Sequence, residues 1–534
     1  MMRRVNPILL VLLIFFMGGL TAPSVLLASE SASKSITETG LLFRRYCAVC
    51  HGLEGRGDGP NAAALGETQP RDLTDQKYMG KLSDAHLLKV ISEGGRAVDR
   101  SPFMPSFGRT LPLEGLRALA AHVRSLHAGE GQAKKGEPTP EEVDARLVVE
   151  LGCANCHRIA DLAPRPVAPS LAHAGEKFQA PWLGAFLKDP FRIRPAGYVP
   201  LSYSRMPKFR ISHEEVESLA AYLLQRLQRG DQGKTQRFVG KNGEKGHQLL
   251  LQYGCRSCHN YDESGAVAGP DLEKAKDRLR LEWTARFIED PQSTDRGAAM
   301  PKVGVSPADA RDIAVLLIKE NSQRESKPTP ELVQRGQALF ESLGCLACHE
   351  GADAAKRPEG PPDLTHLGDK LQPAWLRGFL KEPRPLRFWL KARMPDFRLS
   401  DKEADALVRY FARYRKDPKI KSGPSDERVM APDPANVERG RALFDLYECS
   451  KCHPSPGPSL QAEEETTALA PSFQDAARRL KPDWVLRFLR DPQSIYPGTK
   501  MPDFFYSAGE PLEEDAEAKM AALRDYLMSL SPRR

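Results

Sequence analysis

Apolar positions along this chain recur at helical spacing, and the pattern itself repeats. Gly336, Leu339, Phe340 and Leu343 lie three and four residues apart, and Gly440, Leu443, Phe444 and Tyr447 copy the arrangement 104 residues later. Each set marks one face of a helix. An aromatic block follows in four places: Pro181-Trp182…Phe186…Pro190, Trp283…Phe287…Pro291, Pro373…Trp375…Phe379…Pro383 and Pro482…Trp484…Phe488…Pro492. Trp and Phe four apart share a helix face. A proline at the start, present in three of the blocks, suits the first turn, and the closing proline ends the helix. A further helix is predicted at the end of these repeats, over Glu215–Leu224, Asp309–Ile318, Glu403–Tyr414 and Asp515–Leu530. No segment alternates as a sheet strand does, so the expected fold class is all-α.

Polar stretches rich in Gly, Pro and Lys separate the repeats, at Gly129–Pro140, Gly230–Gly243, Asn321–Pro330 and Lys416–Pro434. Read as short linkers, they divide the chain into an N-terminal segment, 1–30, and five units at 36–128, 141–229, 244–322, 331–416 and 435–532. A length of 534 residues is in any case too great for one core. In the N-terminal segment Arg3 and Arg4 precede the apolar run Ile8 to Leu20, and small residues follow to Ser31. That is the layout of a signal peptide. Counting Leu26 to Ala28, the stretch reaches about 20 residues, enough for a retained membrane anchor. Either way the rest of the chain is expected in the periplasm or on the outer face of the cytoplasmic membrane. The formal charge is only +7, with cations and anions interspersed, so nucleic acid is excluded as a partner.

Cysteine usage brings in the chemistry. All ten cysteines fall in five C-x-x-C pairs, and a histidine follows each pair at once: Cys47, Cys50 and His51; Cys153, Cys156 and His157; Cys255, Cys258 and His259; Cys345, Cys348 and His349; Cys449, Cys452 and His453. Two thiols one turn apart can add to the two vinyl groups of a haem while the adjacent imidazole lies beneath the iron. With 12 histidines in the whole chain, five chance placements are no competitor. Five disulfides would suit an exported protein but do not ask for the histidines. Zinc sites would use the pairs two at a time and leave one unmatched. The expected cofactors are five covalently attached c-type haems, with iron on His51, His157, His259, His349 and His453.

Each unit also carries Met-Pro 41 to 53 residues beyond its histidine, giving Met104, Met206, Met300, Met394 and Met501. Phe107, Phe209, Phe397 or Phe504 follows in four units, and Val303 takes that place in the third. A thioether at one place in five repeats is the expected second axial ligand. Bis-histidine ligation would have to draw on His86, His122, His127, His173, His213, His247 and His366, and none of these lies in the fifth unit.

With these motifs each unit resembles a class I cytochrome c domain: a glycine-bearing first helix, C-x-x-C-H, a proline turn, a methionine loop and a closing helix. The resemblance implies five tandem class I cytochrome c-like domains. It also implies that a proline carbonyl meets the second nitrogen of each proximal histidine, with Pro169, Pro270, Pro362 and Pro471 as the matching residues and Pro70 a weaker match. The tryptophan blocks are expected either to wall the haem pockets or to be ordinary core. Five haems would bring about −10 of propionate charge, leaving the mature protein near −5 reduced and near 0 oxidised. Arg205, Arg393 and Lys500, just before three of the methionines, would pair with propionates or form a solvated face. The expected function is electron transfer by a pentahaem cytochrome between periplasmic redox proteins or within a membrane respiratory complex, tethered at its N-terminus if the anchor is retained. The alternative is an open iron site, best placed in the third unit, that reduces peroxide or a nitrogen oxide.

Overall fold

Capping residues start four of the helices. Thr139, Ser306, Thr329 and Asp433 each accept a hydrogen bond from a first-turn N–H, with a proline at the next position, which satisfies donors the helix leaves orphaned. A computed structural model describes residues 38–530 apart from 67, 128–138, 160–161, 163–167, 172–173, 195–204, 227–242, 296–297, 319–327, 350–361, 366, 385, 388–392, 415–431, 454–469, 474 and 508. The expected signal or anchor lies outside the described residues. Among them, no helix is long and apolar enough to cross a membrane.

The longer helices come three to a unit. Unit one has α1 (Glu38–Tyr46), α2 (Asp84–Glu93) and α3 (Leu113–His127); unit two has α4 (Pro140–Glu150), α5 (Ala180–Lys188) and α6 (His213–Arg226); unit three has α7 (Gly243–Gln252), α8 (Leu281–Glu289) and α9 (Pro307–Leu317). Unit four follows with α10 (Pro330–Ser342), α11 (Pro373–Lys381) and α12 (Asp401–Tyr414), and unit five with α13 (Pro434–Leu446), α14 (Pro482–Arg490) and α15 (Ala516–Ser529). Strand is confined, among the described residues, to two small hairpins, Asn260–Tyr261 with Ser264–Gly265 and Tyr506–Ser507 with Glu510–Pro511. The all-α expectation is met.

In units one, three and five the first helix crosses the closing helix of its own unit. Glycine makes the crossing close: a side chain at Gly246 would run into the Asp312 carbonyl and Leu316, and one at Gly440 into the Ala522 carbonyl and Tyr526. Units two and four behave differently. Helix α10 crosses α6, and α4 crosses α12, so the two units have exchanged N-terminal halves. Phe340 and Leu343 are buried with Leu183, Val216, Leu219 and Tyr222, while Leu147, Val148 and Leu151 are buried with Leu364, Leu407 and Phe411. The continuous domains expected at 141–229 and 331–416 are therefore assembled as two composites. Composite A joins α10 and its cysteine motif to α5 and α6, and composite B joins α4 and its motif to α11 and α12.

One charge pair spans the exchange. Nine residues before the first cysteine, where units three, four and five have Gly246, Gly336 and Gly440, unit two has Asp144. Its side chain is fully buried, and Arg409 of α12 grips both carboxylate oxygens at 2.7 and 3.1 Å. Aligned on Ser212 and Ser400, the matching residue of α6 is Ala221. An unexchanged unit two would bury a carboxylate without its cation, at a cost of several kcal/mol.

The composites meet through their methionine loops. Lys208 and Asp396 form an antiparallel bridge of 2.7 and 2.8 Å; Arg205 reaches the Phe397 carbonyl and Glu403, and Arg393 reaches Glu215 and the Arg210 carbonyl. Unit three joins composite A where Phe178 bridges Leu279, and unit five joins composite B in the same way where Leu371 bridges Leu480. Unit one joins unit three through Asn61, fully buried, which donates to the Ser257 carbonyl at 3.2 Å and accepts from the Val267 N–H at 3.0 Å. The contact order is thus one, three, A, B, five, with Arg44 of unit one also pairing with Glu150 of α4.

Arg409→Ala is expected to lower the urea midpoint of the holoprotein by the equivalent of about 2 kcal/mol, below the ~3–5 of a fully buried pair because the arginine is half exposed. Asp144→Gly combined with Arg409→Ala is expected to recover most of that loss, since no carboxylate is then stranded.

Candidate haem centres

A tight turn presents each of the last four motifs. Gly152, Gly254 and Gly344 stand just before the first cysteine in the left-handed region, at φ 70°, 70° and 67°, and Glu448 does so in unit five at φ 52°. This conformation suits glycine and swings the two cysteines onto a short helical turn against the first helix.

The five proximal histidines then share one contact. Nδ1 lies 2.9 Å from the Arg71 carbonyl for His51, 3.0 Å from Pro362 for His157, 2.7 Å from Pro270 for His259, 2.9 Å from Pro169 for His349 and 2.7 Å from Pro471 for His453. A carbonyl can only accept, so Nδ1 carries the proton and Nε2 keeps its lone pair for a metal. Burial pushes all five imidazoles below the ordinary histidine range, against the opposing pull of those carbonyls. Two expectations are corrected here. In unit one the acceptor is Arg71 and not Pro70, one residue further along the longer loop. In units two and four the prolines are traded, because each motif sits in the other unit's second half.

The methionines follow the same exchange. Met206 packs in the cluster of Cys345, Trp182 and Phe209, and Met394 in the larger core that holds Cys153, Trp375 and Phe397 and also Met501. Met104 packs with Cys47, Tyr46 and Phe107, and Met501 lies in the core that holds Tyr447, Trp484 and Phe504. In unit three, Met300 and His259 line one cavity of about 230 Å³ together with Cys255, Cys258 and Met104.

These pockets fit a haem. The Trp–Phe pairs of α5, α8, α11 and α14 stack at 4.7 to 4.8 Å in all four units. Trp283 and Trp484 are buried, yet their Nε1–H groups have no partner, and neither has Nε of buried Arg479. A stranded donor costs about 1–3 kcal/mol, and propionate oxygens are the acceptors these donors lack. Gly269 lies flat against the His259 imidazole, leaving the ring free of any side chain there. All ten cysteines are free. Burial pushes Cys47, Cys153, Cys258 and Cys345 up to about 12. Among the described residues no three His, Cys, Asp or Glu side chains are placed to share one metal ion.

The basic residues before the methionines take two roles. Arg205 and Arg393 tie the two composites together as well as adjoining the methionines, and Lys500 is exposed. His122 packs on Phe43, His127 on Arg124, His213 on Glu217 and His247 on Tyr261; His86 caps into Ser83 through its backbone; His173 and His366 lie outside the described residues. Cations that reach the pockets include Lys177, Arg278, Lys370 and Arg479. Each stands five residues before a tryptophan, a regularity in the sequence that would have found them.

Two family models match the chain. Cytochrome C oxidase, cbb3-type, subunit III matches residues 35–123 and 331–411, and Cytochrome c matches residues 144–226 and 243–317. The chain is a multihaem cytochrome c. Curated relatives include the Cbb3-type cytochrome c oxidase subunit CcoP of Helicobacter pylori strain 52, 29% identical over 192 residues that make up 33% of this chain and 62% of the relative. The same subunit of strain ATCC 700392 / 26695 is 30% identical over 190 residues, 32% of this chain and 63% of the relative. The cytochrome thus spans less than two thirds of the length of these relatives. No solved structure matches it. Because the exchanged halves of units two and four are equivalent, each composite still contains every part of one cytochrome c domain.

Gly269→Ala would place a methyl 2.9 Å from His259 Nε2. The expected result is a purified chain with one haem fewer than the parent by pyridine haemochrome absorbance, with the remaining spectrum unchanged.

Proposed function

We propose that this cytochrome is a pentahaem electron carrier, passing single electrons among five His/Met-ligated haems between redox proteins outside the cytoplasm, with a membrane respiratory complex as the natural partner. The observation that carries the proposal is the fivefold imidazole contact: every motif histidine turns Nδ1 to a backbone carbonyl and keeps the Nε2 lone pair for a metal. Bound haem iron supplies a one-electron couple, and a thioether ligand favours a high potential. The chain's own residues bury that couple, orient the imidazole and present the thioether. No nucleophile or acid–base pair is needed. The cbb3-type oxidase named for the relatives supports the respiratory partner, and the N-terminal segment supports export with cleavage or a retained tether.

In this proposal the ligand pairs are His51 with Met104, His259 with Met300, His453 with Met501, and, across the exchange, His349 with Met206 and His157 with Met394. The attachment motifs come in spatial pairs. Asn61 links Cys50 Sγ, at 3.6 Å, to the unit three motif, and Asn155 links motif two to Cys348 Sγ at 3.9 Å, beside a bond from Ala168 N–H to the Cys348 carbonyl. By attachment site the order along the protein is one, three, four, two, five. Electrons entering at one end would not follow the order of the sequence. The open-site alternative in unit three is not favoured, because Met300 shares the His259 cavity.

Redox titration of the mature protein is expected to show five low-spin haems that do not bind carbon monoxide. Met206→Leu should open one site to carbon monoxide. In the double variant Met206→Leu, His349→Ala the crossed pairing predicts one perturbed haem, whereas ligation within each unit would perturb two.

A further inference from the structure

Cations gather at the places where composite A meets unit three and composite B meets unit five, and the two arrangements are copies. At the second, Lys370 lies in backbone register with Arg479: Gln372 N–H donates to the Arg479 carbonyl and Lys481 N–H to the Lys370 carbonyl, both at 2.9 Å. Lys370 Nζ stands 4.6 Å from the centre of the Trp484 ring and 5.0 Å from that of Tyr496. Seventeen residues on, Arg387 joins it. At the first, Gln179 N–H donates to Arg278 and Arg280 N–H to Lys177, both at 3.0 Å, Lys177 Nζ stands 4.6 Å from the Trp283 ring, and Arg194 follows at the same seventeen-residue spacing.

Each cluster faces a haem pocket of the later unit. Arg194 and Arg278 act electrostatically on His259, and Arg387 and Arg479 act on His453. Counter-charge is sparse. Lys177 has Asp295 at 3.2 Å, but among the described residues no carboxylate forms an ion pair with Lys370, Arg387 or Arg479. Asp475, which acts on Arg479, accepts from Trp375 Nε1 through Oδ2 at 2.6 Å, and its buried Oδ1 has no hydrogen-bond partner. Burial, then the neighbouring arginines, pull the Lys370 ammonium down to about 7, which shows how poorly the protein alone balances this charge. Stranded donors belong to the same residues: Nε of Arg387 and Arg479 and Nε1 of Trp484 have no partner, nor has Nε1 of Trp283 at the other copy.

We infer that units three and five do not hold their haem propionates alone: the carboxylate edge of the unit five haem is clamped by Lys370 and Arg387 from unit four together with Arg479 and Trp484, and that of the unit three haem by Lys177 and Arg194 from unit two together with Arg278 and Trp283. The ligand class is a pair of vicinal carboxylates on one edge of a covalently held porphyrin. Each of these haems therefore has its charge set by a neighbour, and the interface between units is also a cofactor site. The inference rests on the pentahaem proposal above.

The test is spectropotentiometric titration of the full-length holoprotein carrying Met501→His, a change that marks the unit five haem by moving its potential below the others. In that background Lys370→Met and Arg387→Gln, both in unit four, are expected to shift the marked transition to lower potential, because losing a nearby cation favours ferric iron. The other four transitions should superimpose on the parent, and Lys370→Arg should restore the marked one. A marked transition that stays in place in both variants, or a shift in another haem, overturns the clamp. Fewer than five haems in the parent, or no transition marked by Met501→His, would instead refute the pentahaem proposal itself.

Discussion

The structure depends on how closely the helix before each cysteine motif crosses a closing helix. That crossing sets where the two thiols emerge and where the imidazole lies, and it tolerates almost no side chain at the point of contact. Three units meet the constraint with glycine, at Gly246, Gly336 and Gly440. Unit one has Glu38 at this place and unit two has Asp144, and the buried carboxylate of Asp144 has long-range consequences. A carboxylate at a buried crossing requires a cation on the facing helix, and Arg409 of α12 supplies it. That pair ties the first half of unit two to the second half of unit four.

From that pairing follows the traffic between sites. The prolines that accept from His157 and His349, and the methionines that share their pockets, come from the partner half in each case. The exchange places motifs two and four side by side, with Asn155 between them, while Asn61 performs the same joining for motifs one and three. Interfaces in this protein are thus built around the places where cofactors attach. The paired strands at Phe178–Leu279 and Leu371–Leu480 extend the principle, since each brings a lysine over the tryptophan of the next pocket. A multihaem chain gains from such contacts twice, because they fix the spacing between redox centres and set the local field around each one.

Much of this was legible in the sequence. Helix type and helix order could be read from spacing, because helices advertise their buried face at a period of 3.6 residues. The closing helices fall within two residues of their expected bounds. The pocket cations were legible in principle, as basic residues five before each tryptophan, but a lysine looks the same in a sequence whether it is solvated or buried. The roles of Arg205 and Arg393 were ambiguous for the same reason, and proved to include ties between composites.

What the sequence determined by itself was the repeating unit: five copies of a motif, each with the local chemistry for one haem and helices to enclose it. What only the tertiary structure decided was which copies complete one another. Local spacing is a property of neighbouring residues and repeats faithfully, so it cannot distinguish equivalent halves of similar units. The contacts that choose between them are long-range, as that of Asp144 with Arg409 is across 265 residues.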